Sequence, residues 1–306
     1  MPIPAGPAST STTSLNAWIA ETRDHLEGSR SEEANQLGAA YTAGSGTVTF
    51  THATGNIGPG TLISIGTNTL RVLTVNTLTK TATVIAGQNG STDANGAIND
   101  LVRVTPRFTD HQIVREINRH LASLSSPRNG LYGVYTTELA YTASVESYDL
   151  NATGLVRVLE VRRQTFGSSY AWPRVPPGMW ELDRAADTTD FPSGISLRVR
   201  EGNTGLGIQV VYGKTFDPIS TTGTTLVATT GIAREQEDIP PLGAAVRLMS
   251  GREVSRSSPN SQGDSRRSNE VPPGAVGASY RGLVGLWQER VKEESARLRA
   301  MYPYGR

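Results

Sequence analysis

Apolar and polar positions alternate in two different rhythms along this chain, and the changes of rhythm divide it. From Ser14, an N-cap residue type, Leu15, Trp18, Ile19, Thr22 and Leu26 recur at helical spacing and Gly28 supplies a stop. The pattern predicts a helix over 14–28. A helix that short is marginal alone and must dock its stripe on something. Ahead of it, residues 1–13 carry no basic or apolar leader pattern, and the composition predicts a disordered lead. Residues 29–45 are polar and rich in turn formers. From Thr47 the period becomes two: Val48 and Phe50 alternate with threonines, then come Leu62–Ile65, Leu70–Val75, Ala82–Ile85 and Leu101–Val104, punctuated by Gly/Asn/Pro turns. So many short strands in so little chain predict a small β-barrel or sandwich over 42–105.

The helical period returns at 106–127. Thr109 and Gln112 have capping-box spacing, Ile113, Ile117, Leu121 and Leu124 line one face, and Pro127 and Gly130 end the element. This helix is expected to pair with 14–28, which makes the β module an insertion between paired helices. His120 reads as a helix-surface residue. Residues 131–238 are β-like again, with runs at Leu131–Tyr135, Leu139–Tyr141, Leu155–Val161, Ile195–Val199 and Leu206–Tyr212; Leu155–Val161 has one more polar face, and Trp172, Pro173, Pro176, Pro177 and Trp180 mark a rigid loop. A sandwich-like domain is expected. Pro240-Pro241 opens a short helix, 239–254. Residues 255–275 hold almost nothing apolar and predict a flexible linker or arm. Last comes an amphipathic helix at 276–302, with Tyr280, Leu283, Val284, Trp287, Val291, Leu298 and Met301 on one stripe. The fold class is therefore α+β: a small helical core from the N-terminal, central and C-terminal helices, a small β-barrel or sandwich insertion, and a second β-rich domain.

Composition narrows the chemistry. Of 306 residues none is Cys, so thiolate and disulfide chemistry are out, and a net charge of +1 makes the chain as a whole no polyanion binder. No stretch is apolar enough for a membrane helix. The four histidines, His25, His52, His111 and His120, have no metal-ligand spacing, and Asp110-His111 suits a helix start. Gly202–Gly207 reads as a hairpin turn rather than a phosphate loop, and Asp149–Gly154 lacks the distal Glu of a calcium loop. Arg162-Arg163 and Arg266-Arg267 are small basic pairs, read as solvated charge, with contact to DNA phosphates or acidic partners as the alternative. No nucleophile, base or metal constellation emerges; no catalytic residue, cofactor or metal is expected.

The order of these elements resembles the adaptor proteins of tailed-phage head-to-tail connectors. The residues that carry the resemblance are the helix from Ser14, the β insert ending in Val84-Ile-Ala-Gly-Gln-Asn-Gly-Ser-Thr92, and Pro106-Arg-Phe-Thr-Asp110 leading into Ile113-Val-Arg-Glu-Ile-Asn118. Val246-Arg-Leu-Met-Ser-Gly-Arg-Glu-Val254 and Leu286-Trp-Gln-Glu-Arg290 match the family's late helices. The resemblance covers most of 14–302, and the β insert departs from the simplest family pattern. It implies a non-enzymatic virion protein at the head–tail junction, made in the host cytoplasm and assembled as a ring of twelve. It also implies contacts to portal and stopper or tail-completion proteins, and genomic DNA passing through the lumen. On this view Tyr280, Leu283, Trp287 and Val291 of the last helix, with Arg266 and Arg267 of the arm, are the expected interface residues, and Trp287 is the expected anchor in trans, with packing in the core of its own subunit as the alternative. The alternatives are another virion part (tail, baseplate or fibre) and, further off, a β-rich cell-wall-degrading enzyme, which would need a carboxylate pair in a cleft.

Overall fold

The computed structural model describes residues 13–27, 32–142, 145–164, 172–200, 207–219, 226–256 and 275–303. The expected lead (but for Thr13), Arg266, Arg267 and nearly all of the expected linker lie outside them. The fold is α+β. Helix α1 (Leu15–Glu27) precedes a six-stranded antiparallel sheet of β1 (Ala34–Gln36), β2 (Thr47–Thr49), β3 (Leu62–Ile65), β4 (Asn68–Asn76), β5 (Thr81–Ile85) and β6 (Leu101–Val104), in the order β1-β6-β3-β4-β5-β2. The sheet curls into a partly closed barrel. Its two edge strands meet at a bridge between Leu37 and Phe50, flanked by Gly38 N to Thr49 O at 2.8 Å and Thr51 N to Gln36 O at 2.9 Å. Gly38 permits that closure, because a Cβ there would sit 2.9 Å from the Phe50 carbonyl. Inside, Leu37, Val48, Phe50, Ile63, Leu70, Val72 and Val102 form a core separate from the rest of the molecule.

The module begins earlier than the expected position 42, because Ala34–Gln36 is a strand paired with Leu101–Arg103. Its polarity hid it. The buried Asn35 side chain accepts from Gln36 N and His52 N and donates to Ala53 O, so a polar residue is satisfied inside the barrel wall. The two ends of the module lie side by side, with Val104 N donating to Glu33 O at 2.9 Å. They are fastened to α1 by an enclosed charge cluster. Arg23 reaches Glu32 (2.8 Å), Asp110 (2.6 Å) and the Phe108 carbonyl (2.7 Å), while Glu32 also accepts from Arg107 N at 2.9 Å.

Helix α2 (Asp110–Leu124) starts as expected: Thr109 Oγ1 accepts from Gln112 N, and Thr109 N donates to Gln112 Oε1. Two further helices are α3 (Ile239–Arg256) and α4 (Ala275–Met301). The expected direct pairing of α1 with α2 is corrected. The two touch over a short stretch only, and α3 lies between them, packed along α1, α2 and α4. Its Gly243-Ala244-Ala245 segment, wholly buried or nearly so, lets three helices approach one axis.

The second β region is two three-stranded antiparallel sheets. One holds β7 (Gly133–Leu139), β9 (Leu155–Arg163) and β12 (Ile208–Lys214) in the order β7-β12-β9; the other holds β8 (Ser147–Asp149), β10 (Trp180–Asp183) and β11 (Ser196–Val199) in the order β10-β11-β8. Between them pack Tyr148, Leu150, Val158, Val161, Trp180, Leu197 and Val210. Trp180, expected in an irregular loop, opens a strand. Leu155–Val161 does not have one polar face either: Val158 and Val161 face the other sheet, while Leu159 and Val211 join the helical core. The register shift between Val211 and Tyr212 makes this possible by letting Leu159 bulge out of the ladder. The lead is tied down at its last residue, where Thr13 O accepts from Val227 N and Thr13 Oγ1 donates to Glu237.

Candidate interface helix

Helix α4 carries the four expected interface residues that the structure describes. Its C-terminal half is core: Val291, Leu298 and the following Tyr302 are buried in one cluster with Leu15, Trp18, Ile117, Leu121, Leu131 and Leu159. Glu294 is buried too, between Arg290 and Arg297. Arg290 pins this half to the start of α3, bonding Asp238 at 2.7 and 3.1 Å, the Glu235 carbonyl at 3.1 Å, and Glu293. Those carboxylates, Asp238 first, raise the guanidinium's pKa above its ordinary value. Toward the N-terminal half, Tyr280, Leu283 and Val284 are half-buried and Leu286 is 47% exposed. The stripe is thus half-covered up to Trp287, buried at Val291 and Leu298, and open again at Met301, which is 46% exposed.

Trp287 sits where the covering begins. It is half-buried, and its Nε1–H donates to Nε2 of His120 at 3.1 Å, with the rings edge-to-face at a centroid distance of 5.5 Å. The expectation of Trp287 and Val291 as contacts to another subunit is corrected to this extent: both pack on their own chain. Helical spacing shows that a stripe is buried, not against which molecule.

His120, expected at the helix surface, is 2% exposed. It lies in the same stripe of α2 as Ile113, Ile117, Leu121 and Leu124, and that spacing was the available signal. The third wall is Gly243 of α3, where a Cβ would fall 2.1 Å from His120 Nε2. Three helices therefore converge on one imidazole. Because Nε2 accepts the indole proton, the ring is neutral with its own proton on Nδ1, 3.5 Å from Ser123 Oγ. Burial, with the Arg247 charge adding to it, pushes its pKa down to about 3.

Of the basic pairs, Arg162 is not simply solvated. It bonds the buried Glu160 carboxylate at 2.6 and 2.9 Å and Gln209 at 3.3 Å. Asp110 and His111 sit at the start of α2 as expected, and Asp110 also serves the Arg23 cluster. Among the described residues no group of His, Asp and Glu is arranged to hold a metal ion, and no helix is long and apolar enough to cross a membrane. Comparison of the chain with protein-family models, with curated proteins and with solved structures finds no match.

Proposed function

We propose that this chain is a structural virion protein of a tailed phage, the adaptor that joins the portal to the stopper or tail and lines the DNA passage. It acts without catalytic turnover and takes no cofactor. The reading rests on the resemblance in element order, and one observation adds support. The barrel module leaves and re-enters the helical frame at adjacent points, Glu33 and Val104, so α1, α2, α3 and α4 remain a continuous bundle with the module as a side attachment. On this reading the helical core is the ring-forming part, the barrel and the sandwich are outward modules, and the partly uncovered stretch of α4 around Tyr280, Leu283 and Leu286 meets a neighbouring copy or the portal. The resemblance assigns Arg266 and Arg267, which lie outside the described residues, to the same contact.

The deciding experiment mixes the purified protein with the cognate portal ring and measures the mass of the product. Twelve copies bound per portal is the expected result. No association, or a trimer of this chain alone, would replace the adaptor reading with that of a fibre or another tail part. Hydrolysis of peptidoglycan, nucleotide or DNA above background by the pure protein would overturn the non-enzymatic reading.

A further inference from the structure

Beside β9 the sandwich contains a half-enclosed cavity of about 240 Å³. Its origin lies in the backbone. Residues 173–175 run along the free edge of β9, with Arg163 N donating to Pro173 O at 3.1 Å and Val175 N to Val161 O at 2.8 Å. Pro176 and Pro177 have no N–H and cannot continue the ladder, so the chain turns away there and returns as β10 with Trp180. At the same level β9 bulges at Leu159. Two strands that diverge at a bulge and a Pro-Pro step leave a gap no neighbouring side chain fills. The wall is largely apolar, formed by Val161, Val175, Pro176, Pro177 and Trp180.

The polar lining is Glu160 and Arg174. The Glu160 side chain, 6% exposed, takes Arg162 on Oε2 (2.6 Å) and Arg174 on Oε1 (2.5 Å). One carboxylate thus serves two guanidinium groups, and the trio carries one positive charge in excess. Arg162 turns its remaining capacity to Gln209, whereas the Arg174 side chain is 39% exposed and offers a planar fork of donors at the cavity. An engineered apolar cavity of about 150 Å³ holds a benzene molecule, so this one has room for a phenyl-sized body and a few further atoms.

We propose that this cavity is a binding site for an apolar group bearing one carboxylate. The carboxylate meets Arg174, and the apolar body lies against Trp180 and Pro177. Such a ligand supplies the missing charge, and it places its apolar part where water gains little. The chemistry is common to a free aryl or branched-chain acid and to the carboxy-terminal residue of a polypeptide.

The probes are 3-phenylpropionate, its uncharged analogue 3-phenylpropanol, and a hexapeptide ending in Phe with a free or an amidated terminus. Each is titrated into the full-length protein while the Trp180 indole N–H resonance is followed by NMR, assigned by its loss in Trp180→Phe. The expected result is a saturable shift with phenylpropionate or with the free-ended peptide. Binding should be at least tenfold weaker for the alcohol or the amide, and tenfold weaker in Arg174→Gln, which leaves Glu160 paired with Arg162 and whose Tm is checked against the wild type. Binding of the acid alone assigns a small-molecule ligand, and tighter binding of the free-ended peptide assigns a polypeptide terminus. Absence of a saturable shift with both, equal binding of alcohol and acid, or an unchanged affinity in Arg174→Gln overturns the proposal.

Discussion

Mild acid should loosen the helical bundle through His120. In the folded protein the imidazole is neutral, closed in by α2, by Gly243 of α3 and by Trp287 of α4, with the Arg247 charge nearby, and its pKa is about 3 against an ordinary 6.5. The unfolded chain therefore binds a proton between those values that the folded chain refuses. The resulting stability is fully present above pH 6.5 and is lost as pH falls toward 3. At about 1.4 kcal/mol per unit, the loss from this group is about 2 kcal/mol at pH 5, and on the order of 4–5 kcal/mol at its limit. Two kcal/mol is a large share of a typical domain's stability. The assay is urea unfolding at pH 7.5 and pH 5.0, on the wild type and on His120→Gln, whose amide oxygen can still accept from Trp287 but does not titrate. Carboxylates titrate alike in both proteins, so the difference between the two pH effects isolates the imidazole. The wild type should lose about 2 kcal/mol more than the variant. Equal losses would refute the reasoning, since they would mean His120 accepts its proton without unfolding.

Gly243→Ala should cost about 1–3 kcal/mol of overpacking, read as a drop in Tm, because the new methyl falls on the imidazole. Arg23→Met should cost about 2–3 kcal/mol by leaving the enclosed Glu32 and Asp110 only their longer contacts to Arg103, at 3.5 and 3.9 Å, and hydrogen exchange should rise first around Glu33 and Val104. Glu21→Gln should raise Tm above pH 7. Burial, then Asp238, Glu237 and Asp24, push the Glu21 pKa up to about 7, so the contribution of its protonated form is fully present below pH 4.5 and is lost as pH rises to 7; at 42% side-chain exposure the gain on removing the charge is about 1 kcal/mol or less. Replacing residues 34–103 with a short Gly-Ser link should leave the helical bundle folded, as judged by retained helical circular dichroism and a cooperative melt, because Glu33 and Val104 are already hydrogen-bonded neighbours.

What was legible in the sequence depended on whether the deciding interaction was local. The start of α2 could be read because both capping-box bonds join Thr109 to Gln112 within one turn. The barrel strands could be read where one face is packed and the other wet, as in β5, whose residues alternate between buried and exposed. Where both faces are covered the alternation means something else. β9 places Val158 and Val161 on one layer and Leu159 on another, so its mixed pattern reports two interfaces and a bulge, not a solvent face. β1 was missed because its burial is satisfied by amide hydrogen bonds from Asn35, which leave no apolar mark.

The bundle's arrangement was the hardest part, and α3 explains why. A stripe on α1 and a stripe on α2 say that each helix buries a face, but a third helix can satisfy both. α3 does so with Gly243, Ala244 and Ala245, residues too small to produce a strong amphipathic signal. Small side chains at a crossing bring backbones close, and closeness lets one large group from each neighbour meet over them. Those groups are His120 from α2 and Trp287 from α4. Each looks ordinary in its own helix, a histidine beside an isoleucine and a tryptophan in a stripe. The requirement of His120 for a missing side chain at position 243 is written in a third segment more than a hundred residues away. The same logic bears on assembly. With Trp287 committed to His120, the apolar surface that α4 offers to another subunit on its N-terminal side is that of Tyr280, Leu283 and Leu286. On the proposed adaptor reading, a charged substitution at the 47%-exposed Leu286 should therefore weaken association with the portal while leaving the stability of the free subunit within about 0.5 kcal/mol of the wild type, the usual range for exposed positions. A Leu286→Glu protein that binds the portal with unchanged affinity would place the contact elsewhere on the molecule.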